Sequence, residues 1–130
     1  MTDVEEKVER GGEARPQANG GSDGDDARTI AREMVRLYKE FVGRGPTYAR
    51  AYVHDEVVLV VLRDTMIRAE RTLAEEGEPD LVRQLRRVFQ GKFRNEAMQI
   101  VADTTGRPVS AFMSDHEIET DTAVEVFMLG

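Results

Sequence analysis

The sequence predicts an α+β domain in which helices pack on a four-stranded, mainly antiparallel sheet, in the order α-β-β-α-α-β-β. Two observations carry that expectation. First, a helix-spaced stretch twice ends at a glycine, passes through an arginine–proline turn and continues into a pair of β-branched runs. Second, the two passages share their punctuation. Gly43-Arg44-Gly45-Pro46, Ala49, His54 and the run 57–62 are echoed by Gly106-Arg107-Pro108, Ala111, His116 and the run 124–129. The proline, alanine and histidine pairs all lie 62 residues apart, which predicts an internally repeated helix–hairpin unit.

The elements follow in order. Over 27–42, Ile30, Met34, Leu37, Tyr38, Phe41 and Val42 recur at helical spacing, with Asp25 or Asp26 placed to cap the start and Gly43 to stop it. Pro46 forbids continuation, because the residue before a proline is driven out of the helical region. Residues 47–54 and 57–62 then read as strands joined by the tight turn Asp55-Glu56. Asp64 is placed to cap a short helix over 65–76, ended by Gly77. Pro79 and Asp80 open the longest helix, with an apolar stripe of Leu81, Leu85, Val88, Phe89, Phe93, Ala97, Ile100 and Val101. Gly91 inside it costs about 1 kcal/mol relative to alanine and suggests a close packing approach there. Residues 108–116 and 123–129 form a second hairpin, whose loop reads as longer than the first.

Strand alternation predicts an exposed contact surface. On the first strand Ala49, Ala51 and Val53 share one face, and Tyr48, Arg50, Tyr52 and His54 share the other. The run 57–62 is apolar on both faces and wants cover on both. Three helices cover one face of four strands, so the expected occupant of the other is a second copy of the chain or a partner. The alternative is that the helices divide between the two faces. Tyr48, Arg50, Tyr52, Phe112 and Phe127 are the interface candidates, from residue types favoured at interfaces.

Composition narrows the function. Residues 1–26 carry eight acids against three bases and five glycines, with Val4 and Val8 as the only branched apolar side chains. Such a segment buries too little to offset its ordering entropy and is expected to be a disordered tail, leaving 27–130 as one domain. The tail holds most of the net charge of −7, and the remainder is close to neutral, which argues against general affinity for nucleic acid. There is no cysteine, which rules out disulfides, thiol catalysis and thiolate metal sites. No apolar run reaches the ~18 residues of a membrane helix, and the N-terminus lacks the order of a secretory signal. The expectation is a cytoplasmic protein, with membrane association only through a partner.

Candidate sites remain few. Arg44, Gly45, Arg63 and Arg107 sit at helix–strand and strand–helix junctions, where guanidinium groups and free amides can receive an anion or carboxylate. The same glycines and prolines also serve simply as caps and turn residues. His54 and His116, flanked by Asp55, Asp115 and Glu117, form too thin a set for a metal site, so no metal or cofactor is expected. Ser114-Asp115-His116 has the letters of a hydrolase triad, but neighbours on a strand point to opposite faces, so no catalytic residues are assigned. Arg83, Arg86, Arg87, Gln90 and Arg94 make a basic stripe on the long helix, read as its solvated face. The first reading is a non-enzymatic, homodimeric interaction module. The alternatives are an anion- or small-molecule-binding regulatory domain and, more weakly, an RNA-binding domain using Tyr48, Arg50, Tyr52 and the basic stripe.

Several of these passages together resemble a known family. They are Gly43-Arg44-Gly45-Pro46-Thr47, Leu62-Arg63-Asp64-Thr65, Ala69-Glu70-Arg71-Thr72-Leu73, Phe112-Met113-Ser114-Asp115-His116 and the closing run 124–129. Over roughly residues 28–129 the chain resembles the MpsC family of small bacterial domains, labelled the C subunit of a sodium-translocating, membrane-potential-generating system. The acidic tail departs from the family pattern. The resemblance implies a cytosolic accessory of a sodium-translocating or inorganic-carbon-uptake membrane system, with a membrane protein as a possible partner. It implies no catalytic residue, and a chain without a membrane span cannot itself carry sodium across a bilayer.

Overall fold

A computed structural model describes residues 21–130. Helix α1 (Gly21–Val42) leads into strand β1 (Tyr48–His54) and strand β2 (Val57–Arg63). A short helix α2 (Arg68–Glu75) and a long helix α3 (Pro79–Thr105) follow, and strands β3 (Val109–Glu117) and β4 (Thr122–Leu129) close the chain. The sheet is wholly antiparallel in the order β1-β2-β4-β3, so the two hairpins join through their second strands.

The punctuation residues act where left-handed backbone is needed. Gly43 (φ 94°) ends α1 and donates its N–H to Lys39 O, and Gly106 (φ 73°) ends α3 with its N–H on Ala102 O. Pro79 occupies the first turn of α3, where its missing N–H costs nothing.

Several boundaries differ from the sequence reading. α1 starts at Gly21, so Asp25 and Asp26 lie inside the helix and Asp25 pairs with Arg28 instead of capping. The expected tail therefore loses residues 21–26 to α1, and residues 1–20 lie outside the described chain. Asp64 does not cap α2. It adopts φ 62° and spends its carboxylate on Arg44, Thr47 and Arg71. The helix begins three residues later than read, with the Ile67 N–H donating to the Glu70 carboxylate. The β3–β4 loop spans 118–121, only two residues longer than the 55–56 turn. Nothing approaches the position of a Cβ at Gly91, so no close packing explains that glycine. The repeated unit is not established by the fold, because among the described residues α2 has no counterpart before α1.

All the sheet's helix-side residues meet in one core. Ile30, Met34, Leu37 and Tyr38 of α1 and Phe93, Ala97 and Val101 of α3 pack on Ala49, Ala51, Val58, Val60, Leu62, Phe112, Ala123, Phe127 and Leu129. Tyr38 and Phe41 contact the Phe93 ring, and Phe112 stacks at a tilt on Phe127. Phe112 and Phe127, read as interface candidates, are thus core residues at 7% and 0% exposure. Their register pairs them across β3 and β4 on the helix side.

Along α3 the phase also differs from the reading. Leu81 and Val88 are exposed, at 46% and 54%, while Val82 and Arg86 face inward. The first half of α3 packs against α2, and Glu70 there supplies a partner for Arg86.

Candidate functional site

Two features could do work: the sheet face turned away from the helices, and a belt of polar groups at one end of the core. The face follows from the strand registers. Each row crosses β1, β2, β4 and β3 in turn. One row is His54, Val57, Met128 and Ala111, and the next is Tyr52, Leu59, Val126 and Met113. Then come Arg50, Val61, Val124 and Asp115, and finally Tyr48, Arg63, Thr122 and Glu117. The centre is aliphatic, the β3 border ends in two acids, and two arginines lie toward β1. Every helix-side contact in the core comes from the opposite alternation. Tyr52 and Met113 are large apolar side chains left 40% and 52% exposed. Tyr48 and Arg50 are buried at one corner, where the Arg50 and Arg63 guanidinium groups lie 5.9 and 5.4 Å from the Tyr48 ring centre.

The polar belt begins at the first arginine turn. Arg44 forms a two-pronged pair with Asp64 at 3.0 and 2.7 Å and also donates to the Asp64 and Met66 carbonyls. These hydrogen bonds raise the Arg44 pKa and lower that of Asp64. Arg71 bridges Asp64 at 2.6 Å to Asp121 at 3.4 Å. Asp121 in turn accepts from Thr65 Oγ1, the Met66 N–H and His116 Nε2 at 2.9–3.0 Å. Burial works against its charge, but the bonds from His116, Met66 and Thr65 outweigh that and hold its pKa well below the carboxylate range. The belt pins the loop 64–67 to the loop 118–121.

Deeper in, Glu70 and Arg86 form a two-pronged pair at 2.8 and 2.9 Å, with both side chains almost fully buried. Beside them Glu125, wholly buried on the core side of β4, accepts the Tyr38 hydroxyl. Burial pushes the Glu125 carboxyl up to about 7, against the smaller downward pull of Ser114, Tyr38 and Arg86. Burial next to Glu125 also raises the Tyr38 pKa well above its ordinary value, so the phenol keeps its proton. Neither Glu125 Oε1 nor Ser114 Oγ makes a hydrogen bond of acceptable geometry, although both are sealed from solvent.

The sequence-read site residues do not converge. The guanidinium of Arg44 is engaged by Asp64 and two carbonyls, and that of Arg107 by the carbonyls of Asp55 and Gly130. Arg63 lies on the open sheet face, its Nε buried without a partner. The close fit of Gly45 is to Lys39 and Val35, whose side chains would meet an added Cβ at 3.0 and 3.3 Å. His54 is exposed beside Asp55, whereas His116 is buried on Asp121, so the two histidines are not equivalent. Among the described residues no group of three His, Asp or Glu side chains could hold a metal, and no helix is long and apolar enough to cross a membrane.

Glu125 and Asp121 were missed from sequence. An acid in the inward alternation Ala123, Glu125, Phe127, Leu129 was the available signal for the first. A family model described as the Na+-translocating membrane potential-generating system (MpsC) matches residues 22–130, and the chain belongs to that family. No curated protein and no solved structure matches it.

Proposed function

We propose that this MpsC-family chain is a non-catalytic interaction module, an accessory of a sodium-translocating membrane system, that pairs with a second copy of itself through the open sheet face. One observation carries the reading: Leu59, Val61, Val124, Val126 and Met128 form a continuous aliphatic surface with no helix of the described residues over it. Apolar patches of that kind on water-exposed proteins mark contact sites. The family description supplies the membrane system.

The distribution of charge supports self-pairing. Face-to-face sheets pack about 10 Å apart with their inner side chains interleaved. A two-fold axis running along the strands lays β1 of one copy over β3 of the other and keeps each row opposite itself. Arg63 then lies beside the partner's Glu117, and Tyr52 meets the partner's Met113. An axis across the strands would stack β1 on β1 and β3 on β3 and lose these pairings.

Light scattering of the full chain tests this. A dimer mass is expected, falling to the monomer mass in Val126→Lys while the circular dichroism spectrum stays unchanged. A wild-type chain that remains a monomer at high micromolar concentration would overturn the reading.

A further inference from the structure

A cleft of about 220 Å³ opens on the helix side of the sheet at the β3 edge, sharing with the face proposed for pairing only Asp115. Arg83, Arg86, Arg87 and Gln90 line one wall, spaced at 3, 4 and 7 residues on successive turns of α3. Ser114 and His116 line the other, two residues apart and therefore on one side of β3.

The donors in this cleft outnumber the groups that could satisfy them. Arg86 gives Nε and Nη2 to Glu70, which leaves Nη1 without a protein acceptor among the described residues. Arg87 has no ion pair or hydrogen bond among the described residues. The partner of Arg83 is Asp80 on the same turn, a carboxylate almost wholly in water, and such a pair is weak. Nε2 of His116 is engaged by the ionised Asp121, which orients the ring. Asp115 is the one carboxylate in the lining, and its Oδ1 already accepts the His116 backbone N–H.

Three guanidinium groups and a carboxamide around one cavity match the acceptors of a phosphate group, which planar guanidinium forks bind two-pronged. The cavity is larger than a phosphate alone, leaving room for an organic substituent. We infer that this cleft binds a phosphate monoester, its phosphate held by Arg83, Arg86 and Arg87, with Gln90 completing the shell. Arg86 is the rigid element, because Glu70 fixes its guanidinium plane. Arg87 supplies the uncompensated charge.

Phosphorus NMR of the full chain at fixed ionic strength tests the site, with inorganic phosphate and glycerol 3-phosphate titrated separately. Saturable binding is expected for the monoester, tighter than for inorganic phosphate. It should weaken about tenfold or more in Arg87→Gln, the loss of a charge-assisted contact. Arg87 is exposed and unpaired among the described residues, so the variant should melt with the wild type, and Arg83→Gln should weaken binding without abolishing it. Equal saturable binding of both probes, lost in Arg87→Gln, would keep the phosphate site and remove the organic subsite. Absence of saturation, or binding that neither variant changes, would overturn the inference. Because the cleft lies off the pairing face, a monomeric chain would leave this test intact.

Discussion

Replacing Glu125 by glutamine should make the protein more stable at pH 8 and leave it nearly unchanged at pH 4.5. Glu125 is wholly buried, and burial lifts its carboxyl from 4.5 to about 7. Below about pH 4.5 the group is protonated in folded and unfolded chains alike and adds no difference. Between there and about pH 7 the unfolded chain releases the proton first, so wild-type stability falls as pH rises. Above pH 7 both states are ionised and the loss levels off. The gap between the two pKa values corresponds to about 3 kcal/mol. Glutamine has the same shape, can still bond Tyr38 and never ionises, so its advantage over wild type should grow by about that amount across the interval. Urea unfolding at a series of pH values reads the difference directly, and taking it between the two proteins cancels the other titrating groups. Parallel stability profiles for wild type and Glu125→Gln would show that the buried carboxyl does not titrate in this range.

Two other perturbations separate the polar elements. Arg86→Met strands the buried Glu70 charge and should cost about 3–5 kcal/mol in urea unfolding, whereas the paired change Glu70→Leu with Arg86→Met should recover most of it. Asp121→Asn should flatten the acid limb of stability: the depressed pKa of Asp121 contributes above about pH 4 and is lost as pH falls below it, so the wild type should weaken more steeply than the variant.

What the sequence disclosed was set by local physics. Gly43, Pro46, Pro79 and Gly106 stand where the backbone needs a left-handed residue or lacks a donor, so helix ends and strand starts could be read from them. The doubly apolar run 57–62 was read as a strand wanting cover on both faces, and it forms β2, an interior strand of the sheet. Long-range pairing was not legible. The distance from Glu70 to Arg86 and from Asp64 to Asp121 along the chain gives no periodic signal, and both bonds redirected an element boundary or a helix face. Arg86 looked like a surface residue because its partner lay on another helix. Leu81 and Val88 looked buried because the α3 stripe was extended past the point where the sheet stops supporting it. The aromatic pair Phe112–Phe127 took the core side for a simpler reason: alternation defines two faces and does not say which one the helices choose.

The strand order has a consequence for how the chain assembles. β4 follows every other element in the chain, yet it lies in the interior of the sheet, hydrogen-bonded to β2 some 60 residues upstream. Until it arrives, the β1–β2 hairpin presents an open edge and greasy flanks to its surroundings, the arrangement most prone to pairing with a neighbouring chain. Synthesis therefore passes through a vulnerable interval that ends only when residues 122–129 slide into place between β2 and β3.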